Sequence, residues 1–289
     1  MAGALAQGIP VTLDRHVYVS DTKGGTAIVH DNGTLKTGTA SSPDNHTYAV
    51  DRSHLTEAAT FNGIAVEQHQ GLTVTMPVSP EPASKVYTYW DTVTRKAVPV
   101  TFVGVENRGG RKTYHYRAVA SGAVADPVLQ KQLPAALPKS LAPQLLALLP
   151  AETQKLLAPL VAALPEQVPL TYTGTSTYDV WADAKLGAPL DTAINRSVVA
   201  NVALGGNTLP LLPVLAFNVT QDQSSVADAA SNADSAATKL AWIELWGPIV
   251  ALVLGLALVA VGLLLGRRTP QPPAPQPAPR INLPTPSST

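Results

Sequence analysis

Short runs in which β-branched residues alternate with polar ones fill the first third of the chain: residues 11–19 (VTLDRHVYV), 25–30, 47–50, 60–66 and 71–78. Turn formers stand between them, Asp31-Asn32-Gly33 and Ser42-Pro43-Asp44 among them, so the pattern predicts sheet strands joined by tight turns. The signal sharpens over residues 85–120. Val86, Thr88 and Trp90 alternate with Tyr87, Tyr89 and Asp91, a second run AVPVTFVGVE follows, and Asn107 to Gly110 supplies residues that tolerate positive φ before KTYHYRAVA returns. This predicts a three-strand antiparallel meander in which His115 faces away from Tyr114 and Tyr116 and takes a cross-strand structural role.

The pattern then changes. Residues 133–169 are dominated by Leu and Ala, with prolines at 134, 138, 143, 150, 159, 165 and 169 that limit any helix to one or two turns. Leu141, Leu145, Leu148 and Leu149 recur at helical spacing, and residues 150–159 fit one short amphipathic helix with Leu156 and Leu157 inward. The plain reading is a helical cap over one end of the sheet. The sharper one is an apolar lining for a lipid chain, made by Leu141, Leu145, Leu148, Leu149, Leu156, Leu157, Leu160 and Leu164, because many leucines on short helices suit a shape-tolerant apolar ligand. After the insert β code resumes over 170–179, 180–189 (strand, then a turn at Asp183 to Gly187), 198–204 and 211–219, where Pro210 and Pro213 mark an edge or a bulge. An Ala-rich helix follows, capped by Asp222 or Ser224.

Residues 245–266 carry no charged side chain, and at about 1.5 Å of rise per residue they reach roughly 33 Å, enough to cross a bilayer as a helix. Trp242 and Trp246 suit one interface, and Arg267 with Arg268 marks the cytoplasmic side by the positive-inside rule. The expected organisation is an extracytoplasmic β-rich domain over 1–220 with its insert at 133–169, a juxtamembrane helix over 221–244, a transmembrane helix over 245–266 and a Pro-rich cytoplasmic tail over 267–289. The fold class is α+β, mainly antiparallel β with a Leu/Pro-rich short-helix insert. An outward domain of this size needs an export segment, and Met1 to Pro10 has neither a basic n-region nor an apolar stretch, so the start is expected to lie upstream of Met1.

Composition narrows the function. Twenty basic residues against twenty acidic ones leave no footprint for nucleic acid, and the absence of Cys removes disulfides and thiolate metal sites. None of the six histidines stands at metal-ligand spacing, and no nucleophile elbow, phosphate loop or dinucleotide fingerprint is present, so no cofactor and no enzymatic activity are expected. Acidic pairs such as Asp179 with Asp183 have the groups for sugar chemistry, but two carboxylates flanking a turn are more often turn formers and solvated charges.

The strand Tyr87, Tyr89, Trp90, Asp91, the second Tyr-x-Tyr strand (Tyr114, Tyr116) and the later block TSTYDVWADAKLGAPLD with Trp181, Asp183 and Gly187 resemble the actinobacterial PorA family of membrane-anchored envelope proteins, a domain without an assigned activity. The order of parts is similar over residues 9–268. The resemblance implies an envelope protein of mycobacterium-like bacteria with its main domain outside the cell membrane and no catalytic residues. The family name implies a porin, yet a transmembrane barrel needs many strands of about 9–11 residues with a lipid-facing apolar band, and a single helix encloses no pore without oligomerising. The layout is also similar to that of class B scavenger receptors, which handle lipids. The sequence reading is thus a non-enzymatic envelope protein that binds or handles lipid or lipoglycan, with a porin or channel subunit and an accessory protein or enzyme of envelope glycan assembly as alternatives.

Overall fold

The computed structural model describes residues 8–147, 151, 154–155, 158–204 and 207–266. Arg267 and Arg268, the Pro-rich tail, Leu148, Leu149, Leu156 and Leu157 lie outside the described residues. The chain divides into two compact units, residues 1–237 and 238–289.

The first unit is built from two antiparallel sheets. Strands β1 (Val11–Lys23), β2 (Thr26–Thr37) and β3 (Ala40–Asp51) form a three-stranded sheet in chain order. The larger sheet runs β10-β9-β8-β6-β5-β4, from β4 (Thr88–Asp91), β5 (Lys96–Arg108), β6 (Arg111–Ala123), β8 (Gln167–Asp183), β9 (Pro189–Leu204) and β10 (Asn207–Thr220), while the short β7 (Ala136–Pro138) pairs with β8. Neither sheet closes on itself among the described residues: β4 and β10 end the larger and β1 and β3 the smaller.

The meander β4-β5-β6 forms as its alternation predicts, turning at Gly109 and Gly110 with Arg108 opposite Arg111. Pro210 and Pro213 sit on the edge strand β10 at two register shifts, because a residue without an N–H can be accommodated only where a ladder bond is dispensable.

The first third needs correction in two places. Asp31-Asn32-Gly33 and Ser42-Pro43-Asp44 are not turns but the middles of β2 and β3, with Gly33 opposite Asp44. A Cβ on Gly33 would meet the Asp44 carbonyl oxygen at 3.0 Å, so this glycine marks a close backbone approach. Pro43 is tolerated because β3 is an edge strand. Conversely, residues 60–66 and 71–78 are not strands. Asn62, Gly63, Gly71 and Ser79 have positive φ, which breaks extended backbone, and the second segment keeps one isolated bridge from Leu72 to Tyr89. Leu72 and Met76 are nevertheless buried, so this irregular stretch still contributes to the core.

That core has a large part on the inner face of the larger sheet, where Val100, Tyr116, Ala118 and Tyr178 pack with Leu72 and Met76. A second part joins Ala27, Val29, Tyr48 and Val50 of the smaller sheet to Trp90 of β4. Each large side chain fully removed from water contributes roughly 1.5–3 kcal/mol, and with no disulfide these clusters carry the unit's stability.

Helices are few. α1 (Pro127–Gln132) is capped by Asp126. The insert folds as β7, a 3₁₀ turn (Lys139–Leu141), α2 (Ala142–Leu146) and a 3₁₀ segment (Ala158–Ala163). α3 (Gln223–Gly266) starts at Asp222, whose carboxylate accepts from Ser225 N at 2.7 Å, and it continues through Pro248. In the second unit its large apolar side chains from Trp242 to Leu263 are exposed, and its length and composition suffice to span a membrane.

Candidate functional site

Between the smaller sheet, the larger sheet and α1 lies a cavity of about 350 Å³, within the size range of roughly 300–1,000 Å³ typical of small-molecule sites. Its wall divides into two chemistries. Leu13 and Leu35 of the smaller sheet, Leu129 and Leu133 of α1 and Val214 and Leu215 of β10 make an apolar side. Arg15, Asp31, Asp44, His46, Tyr178 and Arg196 make a polar one.

The polar side is built by register. Arg15 on β1 reaches Asp31 on β2 in a two-bond fork, Nε and Nη2 each donating at 2.7 Å. His46 on β3 stands between Asp44 (3.0 Å) and Glu67 (2.9 Å). Burial works against its charge, but the hydrogen bonds to Asp44 and Glu67 outweigh it and hold its pKa at about 10. For Asp44 burial likewise opposes ionisation, and the bond from His46 and the charge of Arg196 keep it below the usual carboxylate range. Arg95 lies 3.5 Å from the other Glu67 oxygen.

Arg196 on β9 is the group whose bonding is weakest. It donates to Tyr178 Oη at 3.2 Å and to Thr92 Oγ1 at 3.4 Å, lies over Phe217 at 5.7 Å and faces Asp44 Oδ2 only at 3.7 Å. Its Nε has no hydrogen-bond partner, and neither has Nε1 of Trp90 or Oγ1 of Thr73, two further residues of the wall. Unmet buried donors of this kind cost about 1–3 kcal/mol each, which native proteins bear mainly where water or a ligand completes the set.

Of the motif residues, Tyr89 and Trp90 line this cavity and Asp91 supports it through Tyr178, while the rest lie elsewhere on or beside the larger sheet. Asp91 is fully buried and accepts from Thr94 N (2.8 Å), Thr94 Oγ1 (2.6 Å) and Tyr178 Oη (2.8 Å), which shapes the β4–β5 turn and orients the tyrosine. Tyr89 packs on Tyr178 at 4.7 Å, and Tyr87, Tyr114 and Tyr116 form edge-to-face contacts with one another or with Phe102. Asp183 accepts from Arg111 Nε (2.7 Å), Lys185 N (2.9 Å) and Leu186 N (2.7 Å), making the predicted turn. Gly187 closes it at φ +72°, where a Cβ would collide with the Pro77 carbonyl. Trp181 stacks on His115 at 4.3 Å with Arg108 4.5 Å from its ring, and His115 bridges Glu106 (3.1 Å) and Asp179 (2.6 Å), a cross-strand role as its sequence context suggests. Asp179 is thus occupied by the side chains of His115 and Arg117 (2.8 Å), and Asp183 by Arg111 and two backbone donors.

The leucine insert has a different site. Leu145 and Leu164, with Leu137, Val168, Leu170 and Val202, surround an apolar pocket of only about 50 Å³. Leu141 is half-buried beside it, and Leu160 belongs to the second 3₁₀ segment. The larger cavity was not legible as a site, because its lining is scattered over β1 to β3, α1, β9 and β10. The one local signal was the unexplained density of charge and His within β1 to β3. Among the described residues no group of three His, Asp or Glu is placed to hold a metal ion.

These features define a class: an antiparallel β protein of two open sheets with one long apolar helix able to anchor it in a membrane, and a two-sided cavity in place of a charged cleft. The chain belongs to the porin PorA family, whose profile matches residues 3–264. A comparison with curated proteins gave no match.

Proposed function

We propose that the protein is a non-enzymatic, membrane-anchored component of the cell envelope, with its β unit on the extracytoplasmic side, and that it binds an amphiphilic envelope lipid or lipoglycan in the cavity between its two sheets. The observation that carries this reading is the division of that cavity into an apolar wall and a hydrogen-bonding floor in one continuous space of about 350 Å³. A purely apolar void would suit a hydrocarbon, and a purely polar one a sugar or an ion; both together suit a molecule with a head and a chain. The long apolar helix, able to hold the same chain in a membrane, supports a lipid ligand. The test is binding of a fluorescent fatty acyl probe to the full chain in lipid nanodiscs, against empty discs, for the parent and for Leu133→Asp and Leu215→Asp. Saturable binding that falls at least tenfold in both variants supports the proposal, and binding unchanged in both overturns it.

A channel subunit is the second reading, favoured by the name of the family. With open sheets and a single candidate span among the described residues, a pore would require several copies. Stepwise conductance in planar bilayers from a defined oligomer supports this alternative; a non-conducting monomer counts against it.

A further inference from the structure

The polar end of the cavity has a charge balance that narrows the ligand. Of its lining, the cations Arg15, His46 and Arg196 meet the anions Asp31 and Asp44, and behind the wall Arg95, Glu67 and Asp91 join the same set through ion pairs and the Tyr178 hydroxyl that Asp91 and Arg196 share. Asp126, at the start of α1, adds a further negative charge to the wall. There is no positive surplus to hold a bare carboxylate or phosphate, and no negative surplus strong enough to select an amine.

What remains open is hydrogen bonding, of both kinds. Arg196 Nε and Trp90 Nε1 are donors without partners. Asp44 Oδ2 is an acceptor that meets Arg196 only at 3.7 Å, while its other oxygen is engaged by His46. Beside this loose ion pair, a group that accepts from the guanidinium and donates to the carboxylate fits both partners. A hydroxyl does both; a carboxylate or phosphate only accepts, and it would lie against Asp44. Phe217 beneath Arg196 joins this floor to the apolar wall at Leu215.

We propose that the cavity recognises a neutral, hydroxyl-rich head group, that of a glycolipid, through Asp44 and Arg196, with the acyl chain lying against Leu129, Leu133 and Leu215. This rests on the amphiphile reading above and adds the chemistry of the head.

The test uses three ligands with one C8 chain, octyl glucoside, octanoate and octanol, each titrated below its micelle concentration onto the full chain in nanodiscs, with empty discs as the blank. Octyl glucoside is expected to bind at least tenfold more tightly than either of the others. In Asp44→Asn and Arg196→Leu its affinity should fall to that of octanol. The parent comparison alone decides the matter if a variant fails to fold. Octanoate binding as tightly as the glucoside overturns the inference in favour of an acidic head, and equal binding of octanol and glucoside shows that no head is read; in both cases the amphiphile reading survives. Failure of all three ligands to bind overturns both.

Discussion

The inter-sheet cavity and the pocket under the leucine insert are both apolar in part, and they differ about sevenfold in volume, roughly 350 Å³ against 50 Å³. Outside the apolar helix the insert is where leucine is densest, yet Leu145, Leu146 and Leu164 close on β8 and β9 and leave a void near the size of one or two waters. The cavity gets its apolar wall from six residues on four separated segments and lies between two sheets, with the paired side chains of Arg15 and Asp31 along its polar side. Leucine density therefore reports how much apolar surface a segment must cover, and open volume comes from what keeps neighbouring elements apart.

Four substitutions test that contrast, beginning with the largest effect. Gly187→Ala should cost roughly 3 kcal/mol or more, since it combines a strained φ with a collision against the Pro77 carbonyl, and the turn it holds ties residues 75–79 to the larger sheet. Thermal melting of the full chain followed by near-ultraviolet circular dichroism measures this, and a loss under 1 kcal/mol would show that the turn is not part of the cavity's frame.

Next is His46, which holds Asp44 and Glu67 together. Its folded pKa of about 10 is raised above the unfolded value of about 6.5, so its contribution is fully present below pH 6.5 and is lost as pH rises through 10. His46→Gln should therefore cost on the order of 3 kcal/mol at pH 6 and distinctly less at pH 10, measured by urea titration at both values. An equal loss at the two pH values would mean that His46 is uncharged in the folded protein.

Leu145→Asp sets the two regions directly against each other. It places a charge against the small pocket and should cost about 2–4 kcal/mol of stability, while affinity for a fluorescent acyl probe, measured at a temperature where the variant is folded, changes less than twofold. A tenfold loss of probe affinity in folded Leu145→Asp would return the apolar site to the insert.

The smallest effect is expected at Val119, more than half exposed on the outer face of β6. Val119→Thr should stay within about 0.5 kcal/mol of the parent and leave probe affinity unchanged. A larger shift would reveal a partner on that face.

How much of this was readable beforehand depended on how local the signal was. The meander from β4 to β6, the Asp183 to Gly187 turn, the Pro-marked edge strand β10 and the apolar helix each rest on residues a few positions apart, and each lies where the pattern puts it. The misread turns at 31–33 and 42–44 consist of residues whose turn preference is overridden, for Asp31 by Arg15 on the neighbouring strand and for Asp44 by His46 two residues along β3 and by Arg196 of the larger sheet. The false strand at 60–66 is interrupted by the positive-φ pair Asn62-Gly63, and the one at 71–78 is bounded by positive φ at Gly71 and Ser79 and keeps a single bridge from Leu72 to Tyr89. The cavity was invisible for the same reason as the turns: Arg15, Asp44, Tyr178 and Arg196 are brought together by sheet register and not by spacing.

The location of the apolar chain tests the central claim most directly. A fatty acyl probe with a diazirine at the chain end, photolysed on the full chain in nanodiscs and mapped by mass spectrometry, should label α1 and β10 around Leu129, Leu133 and Leu215, with the membrane helix as an internal control for lipid contact. Label confined to that helix, or found at residues 141–147 and 158–164 of the insert, would contradict the assignment of the ligand to the cavity between the sheets.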